Sequence, residues 1–198
     1  KNIKPAKLFF FPEDIINDKG LFVGVTFAYG KKIKFGLSFA HLVKKIAENC
    51  SKVEEAIEII KKAPLCFAKN FFIADRFGNM VVIEHTSEKF KILEPKNNIL
   101  IKTNHYLHPE LRKEDEILKE NSTTSFLRYF ETFQKLTSKK DSLKFGDIIK
   151  ILGDKKSSLY QNTSRIKTIW SLALDMGRKK YKIYWNLHKK RKEKELKL

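Results

Sequence analysis

The chain has 198 residues, 42% of them hydrophobic, with 41 Lys and Arg against 23 Asp and Glu, for a formal net charge of +18. That length supports a sizeable core in one domain, and no apolar run approaches the roughly 18–20 residues that a membrane span requires. Two cysteines argue against a disulfide-stapled scaffold, and a soluble, cytoplasmic protein is expected.

Residues Lys1 to Pro12 are basic and then aromatic (Phe9-Phe10-Phe11), an edge-strand candidate that Pro12 cuts short. Ile15 to Ala28 reads as strand, Asn17-Asp18-Lys19-Gly20 turn, strand. Gly36 opens a helix to about Asn49, with Leu37, Phe39, Leu42, Val43, Ile46 and Ala47 on one face. Ser51-Lys52-Val53-Glu54 has the form of a capping box, and the helix it opens carries Val53, Ala56, Ile57 and Ile60 as an apolar stripe.

A meander is expected next. Phe71-Phe72-Ile73-Ala74 and Val81-Val82-Ile83 flank the turn residues Asp75 to Asn79, and Phe90-Lys91-Ile92-Leu93 and Ile99-Leu100-Ile101 extend the pattern. It ends in Thr103-Asn104-His105, polar groups delivered to the rim of a sheet, where sites commonly sit. Pro109 starts a charged helix. Ser122 is expected to cap another, whose Phe126, Tyr129, Phe130, Phe133 and Leu136 recur at the spacing of a core stripe. Phe145 to Leu152 forms a short helix, and a last hairpin runs from Ile166 to Trp185 through the turn Asp175-Met176-Gly177-Arg178. The order of strands and helices argues an α+β domain over residues 1–187. Residues 188–198 form a basic tail, read either as a frayed end or as a contact for nucleic acid or an anionic surface.

The charge itself does not single out nucleic acid. There are 35 lysines and six arginines, and the lysines are scattered through every expected element. Phosphate and base recognition favours the planar fork of Arg. Gly-rich phosphate loops, GxSxG elbows and CxxC pairs are absent from the sequence. His108 and Glu110 have a superficial ligand spacing, but Pro109 lies between them and no cluster completes a site, so neither a metal nor a cofactor is expected. Asp75, Asp141 and Asp175 sit at turns or caps and read as structural. Cys50 and Cys66 read as small buried hydrophobes.

Three segments together resemble one family. Asn70, Ile73, Ala74, Asp75, Gly78, Glu84 and the run Thr103 to Leu111 follow a pattern close to N-x-x-I-A-D-x-x-G … V-x-E … T-N-H-x-L-x-P-E-L. Asn17 to Gly24 is similar to an N-E-K-G-L-A-V-G hairpin, and Thr168-Ile169-Trp170-Ser171 to a T-V-W-S ending. The pattern is that of the acyl-coenzyme A:isopenicillin N acyltransferases and their relatives in the choloylglycine hydrolase group, and the resemblance covers about Ile15 to Trp185. It implies a four-layer αββα sandwich of antiparallel sheets, the N-terminal-nucleophile (Ntn) fold, entered here without its opening segment.

The resemblance also implies linear-amide hydrolysis or acyl transfer by a Cys nucleophile that neither Cys50 nor Cys66 supplies. Asn104 is expected as an oxyanion donor, His105 as a supporting residue, and Arg128 and Arg165 as holders of an acidic substrate group. Ser125 stands where several members carry a catalytic Arg. The expected partner is a small amide or acyl substrate, with a separate N-terminal segment or a homo-oligomer as further partners. A non-catalytic binding module of the same fold is the alternative, and a nucleic-acid or anionic-surface binder acting through the tail is a third reading.

Overall fold

The computed structural model describes residues 13–117, 124–139, 142–164, 166–185 and 192–197. They form two compact units, one within residues 13–117 and one from Thr124 onward.

The first unit opens with the expected hairpin, β1 (Asp14–Ile16) and β2 (Leu21–Phe27). Gly20 lies at φ 82°, a left-handed turn position that a side chain would strain. Asn17 is fully buried in that turn. Its Oδ1 accepts from the Leu21 N–H at 2.9 Å, while its Nδ2 donates to the Ala47 and Cys50 carbonyls at 2.9 and 2.8 Å. Those carbonyls lie at the end of α1 (Phe39–Asn49), where helical partners have run out, so one amide caps the helix and fixes the hairpin to it.

Strands β3 (Lys69–Asp75), β4 (Met80–His85) and β5 (Phe90–Leu93) complete an antiparallel sheet in the order β1-β2-β3-β4-β5. Leu21, Val23, Phe71, Ile73, Val81 and Ile83 alternate onto one face. Against them pack Leu42, Val43 and Ile46 of α1 and Val53, Ala56 and Ile60 of α2 (Val53–Lys61). Each large side chain fully buried there contributes about 1.5–3 kcal/mol.

The cap of α2 differs from the sequence expectation. The reciprocal carboxylate is Glu55, not Glu54, and it accepts from Ser51 N–H at 2.6 Å and Lys52 N–H at 3.1 Å. The helix starts one residue later than the Ser51 pattern suggests, with Lys52 at the N-cap. Asp75, as expected, is structural. Its carboxylate accepts from the N–H groups of Phe77, Asn79 and Val53 at 2.9, 3.2 and 3.1 Å, joining the β3–β4 turn to the start of α2.

Ile99-Leu100-Ile101 is not the further strand that its apolar run suggests. Asn97 and Asn98, at φ 51° and 60°, make a tight turn closed by one Lys96–Ile99 bridge, and the ladder stops there. The chain then runs to a short helix, α3 (Pro109–Arg112), which His108 caps by accepting from the Glu110 N–H at 3.3 Å.

The second unit holds α4 (Ser125–Thr137), α5 (Phe145–Gly153) and a separate antiparallel sheet of β6 (Trp170–Asp175), β7 (Lys180–Trp185) and β8 (Lys192–Lys197). Strand β8 lies within the expected basic tail, so those residues are not a frayed end. Glu193 and Glu195 meet Lys182 and Lys180 of β7 at 3.0 and 3.7 Å. The aromatic stripe of α4 is not core either: Phe126, Phe130 and Phe133 are 40, 60 and 46% exposed. What α4 commits within its unit is its polar face. Glu131 accepts from Ser157 Oγ at 2.5 Å, Ser158 N–H at 2.8 Å and Lys135 at 2.6 Å. Ser122, Asp141 and Arg165 lie outside the described residues.

Burial pushes the Glu131 carboxyl up, but the bonds from Lys135, Ser157 and Ser158 prevail and hold it at about 2. A folded value below the ordinary 4.5 contributes stability that is present above pH 4.5 and is lost as pH falls toward 2. Glu131→Gln is therefore expected to reduce stability at about pH 6 and to flatten its dependence between about pH 4.5 and 2. Denaturant unfolding at several pH values checks this, and parallel curves for the two proteins across that window would contradict it.

No described helix is long and apolar enough to cross a membrane.

Candidate active site

The expected site triplet Thr103-Asn104-His105 is tethered to the sheet face opposite the helices. Thr26, Asn70 and Glu84 are register partners across β2, β3 and β4, so their side chains form one row on that face. Each has a job in holding the segment 102–108. Thr26 Oγ1 donates to the Thr103 carbonyl at 2.9 Å, and Asn70 Nδ2 lies 3.4 Å from the same oxygen and 3.1 Å from Thr26 Oγ1. Glu84, wholly buried, accepts from the N–H groups of Leu107 at 2.6 Å and His108 at 2.9 Å and from the ammonium of Lys102. Lys102 also donates to the His105 carbonyl.

Around Asn104, sheet side chains and Lys102 serve the backbone groups that an edge ladder would otherwise satisfy. The carbonyls of Thr103 and His105, on either side of Asn104, are both fixed.

Asn104 itself is partly exposed, and its Nδ2 donates to the Phe27 carbonyl at the end of β2, at 2.9 Å. Its side chain is thus oriented by main chain at the sheet end. His105 is buried, its Nδ1 3.2 Å from Thr103 Oγ1. The other flank is closed by Asp115, which accepts from Tyr106 N–H at 2.7 Å and Ile117 N–H at 2.9 Å.

The electrostatics follow the burial. Desolvation pushes the Lys102 amine down from its ordinary range, against the pull of Glu84 and Asp115. Desolvation likewise raises the Asp115 carboxyl, against its two backbone donors. The ion pair of Glu84 with Lys102 is 0 and 1% exposed, so either partner alone would be a buried, uncompensated charge. Asn70 Oδ1, also in this row, is a buried acceptor with no donor among the described residues.

Arg128 belongs to the second unit, where its Nε donates to Thr124 Oγ1 at 3.1 Å, and Ser125 is buried at the start of α4. Cys50 is 1% exposed, and its thiol is pushed up mainly by burial and then by Glu55, the opposite of what a nucleophile needs. Cys66 is half-buried, and both cysteines are unbonded. Among the described residues no group of three or more His, Cys, Asp or Glu is placed to hold a metal ion.

Thr26, Asn70, Glu84 and Lys102 were assigned no role from the sequence. Asn70 and Glu84 did stand in the family pattern; the further signal was a polar residue inside each of three apolar strands, at positions that fall into one row only once the register is known.

The fold has counterparts among solved structures. Penicillin V acylase from Agrobacterium tumefaciens superposes with a TM-score of 0.64 at 16% identity, over 90% of this chain and 64% of that one. Two variants of the conjugated bile acid hydrolase from Clostridium perfringens superpose with TM-scores of 0.57 and 0.59 at 16 and 15% identity. They share 94% of this chain and 77 and 72% of their own. The chain thus spans less than two thirds of the length of the acylase. No curated protein matches the sequence. At these identities the likeness establishes the fold, an Ntn-type α+β fold of antiparallel sheets. The description "acyl-coenzyme A:6-aminopenicillanic acid acyl-transferase" belongs to a family whose pattern runs through residues 3–190, nearly end to end, and the chain is a member of that family.

Proposed function

We propose that the chain is the body of an amide hydrolase or acyltransferase that works through a Cys nucleophile other than Cys50 and Cys66, with Asn104 as an oxyanion donor. The single observation that carries this reading is the fixed turn around Asn104 in a chain of this family. An oxyanion donor must be held in place before the reaction, and bonds to the carbonyls on both sides of Asn104 do that.

In the proposed reaction a thiolate attacks the amide carbonyl carbon. The C–S bond forms as the C=O π pair moves onto oxygen, where the Asn104 N–H and backbone donors meet it. Collapse breaks the C–N bond, and the leaving amine takes up the proton that the thiol gave. Water completes hydrolysis of the thioester, and an amine in its place completes acyl transfer. In this reading the nucleophile belongs to an upstream segment or a separate chain. The two unbonded cysteines fit work in a reducing cytoplasm.

The second reading, a binding module that holds an amide or acyl ligand without turnover, is favoured by Ser125, which has no guanidinium to offer where family members carry Arg. A panel of N-acyl amino acids incubated with the native gene product, whose intact mass is measured first, separates the two. The enzyme reading expects free amino acid and carboxylate from at least one member. Saturable binding without product supports the module, and a native protein with no Cys beyond Cys50 and Cys66 overturns the catalytic reading.

A further inference from the structure

We infer that the loop Lys31–Leu37, with the apolar pocket beside it, is a docking surface for an anionic phospholipid bilayer. This inference stands apart from the proposed chemistry and concerns a different face of the first unit.

The loop displays apolar side chains outward on a fixed backbone. Ile33 is 82% exposed and Phe35 fully so, two residues apart in the extended sequence Lys32-Ile33-Lys34-Phe35. Their neighbours point the other way. Lys32 and Lys34 both close on Glu88, at 3.0 and 2.8 Å, and hold its carboxyl at about 2. The backbone is anchored as well: Lys34 N–H donates to the Cys66 carbonyl at 2.8 Å, Leu37 N–H to the Pro64 carbonyl at 2.6 Å, and Ser87 Oγ to the Lys32 carbonyl at 3.1 Å. Gly36 allows this closeness, since a Cβ there would stand 2.2 Å from the Pro64 oxygen. Ile33 and Phe35 are thus held in water by a loop with little freedom to withdraw them. A large exposed apolar pair on a fixed support marks a contact surface.

Leu37 continues the loop into a pocket of about 200 Å³ with Leu42, Ile59, Ala63 and Pro64 as its apolar lining. Lys45 and Lys62 stand at its lining with Glu58, which Lys61 meets at 2.9 Å. Around the whole surface six lysines (31, 32, 34, 45, 61 and 62) face three carboxylates (Glu58, Glu88 and Glu116), so it is net positive on a chain of +18. Apolar knuckles inside a basic field match the interface of an anionic membrane, where acyl chains receive Ile and Phe and headgroups receive ammonium groups. A second protein copy would carry the same positive charge to this face, which is why the bilayer is the occupant proposed.

The test is co-sedimentation of the full chain with vesicles of phosphatidylcholine alone and with roughly one third phosphatidylglycerol. Binding is expected only to the anionic vesicles and is expected to fall steeply with added salt. Ile33→Ser and Phe35→Ser should each lower the partition coefficient about tenfold, since each removes an apolar side chain from the contact. The Lys45→Glu, Lys62→Glu double variant should lose binding with Ile33 and Phe35 intact. All these positions are at the surface, and circular dichroism verifies that the variants are folded. No binding to anionic vesicles, equal binding to both compositions, or full binding by the Ile33→Ser, Phe35→Ser double variant overturns the inference. So does self-association in sedimentation velocity that the double variant abolishes, if vesicles do not bind.

Discussion

Replacing Glu84 by Ala is expected to destabilise the first unit by about 3–5 kcal/mol, the cost of leaving one partner of a buried ion pair behind. The carboxylate is 0% exposed and serves three donors, the Lys102 ammonium and the N–H groups of Leu107 and His108. Without it Lys102, 1% exposed, keeps only the His105 carbonyl among these partners. Adding Lys102→Met to Glu84→Ala should recover a large part of the loss, because the uncompensated charge is then gone. The remainder reports the two N–H groups that still lack an acceptor, at about 1–3 kcal/mol each if water does not reach them. Denaturant unfolding of the four proteins in the cycle measures both parts. A loss below about 1 kcal/mol for Glu84→Ala would mean that the pair behaves as a solvated surface contact, and the account of the row would fail.

That pair also shows where reading the sequence stops. Strands β2 to β5 were legible because apolar residues alternate between turns made of Asn, Asp and Gly, and α1 and α2 because their stripes recur every three or four residues. Ile99-Leu100-Ile101 has the composition of a strand too. Its continuation is instead held by side chains of Thr26, Asn70 and Glu84, more than ten residues away in sequence. Local propensity contains no such information. Glu55 in place of Glu54 is a one-residue error of the kind expected at helix ends.

The α4 stripe failed for another reason. Spacing reports that Phe126, Phe130 and Phe133 share a face, not which face the helix buries, and in this unit Glu131 and Lys135 bind the loop 154–158. The Thr103-Asn104-His105 triplet stood out both as polar groups after an apolar run and through the family pattern. The four side chains that hold it in place needed the register.

On the proposed catalytic reading, Asn104→Ala in the native gene product is expected to lower kcat by about 10²–10³-fold, equivalent to about 3–4 kcal/mol of transition-state stabilisation, with KM little changed. The asymmetry follows from when the contact forms. In the proposed role the donor meets an oxygen that becomes fully negative only in the tetrahedral intermediate, so ground-state binding gains little from it. Stability should move much less than the rate. Asn104 is partly exposed, and water can replace its bond to the Phe27 carbonyl, so the cost to folding should stay near 1 kcal/mol. Glu84→Gln supplies the contrast, since it leaves Asn104 in the sequence but loosens the turn that aims it, lowering stability and kcat together. Steady-state kinetics and denaturant unfolding on the same three proteins separate the cases. If Asn104→Ala raises KM and spares kcat, the amide is a substrate-binding group. If no form turns over and Asn104→Ala only weakens ligand affinity, the fold serves as a binding module and the oxyanion role is lost.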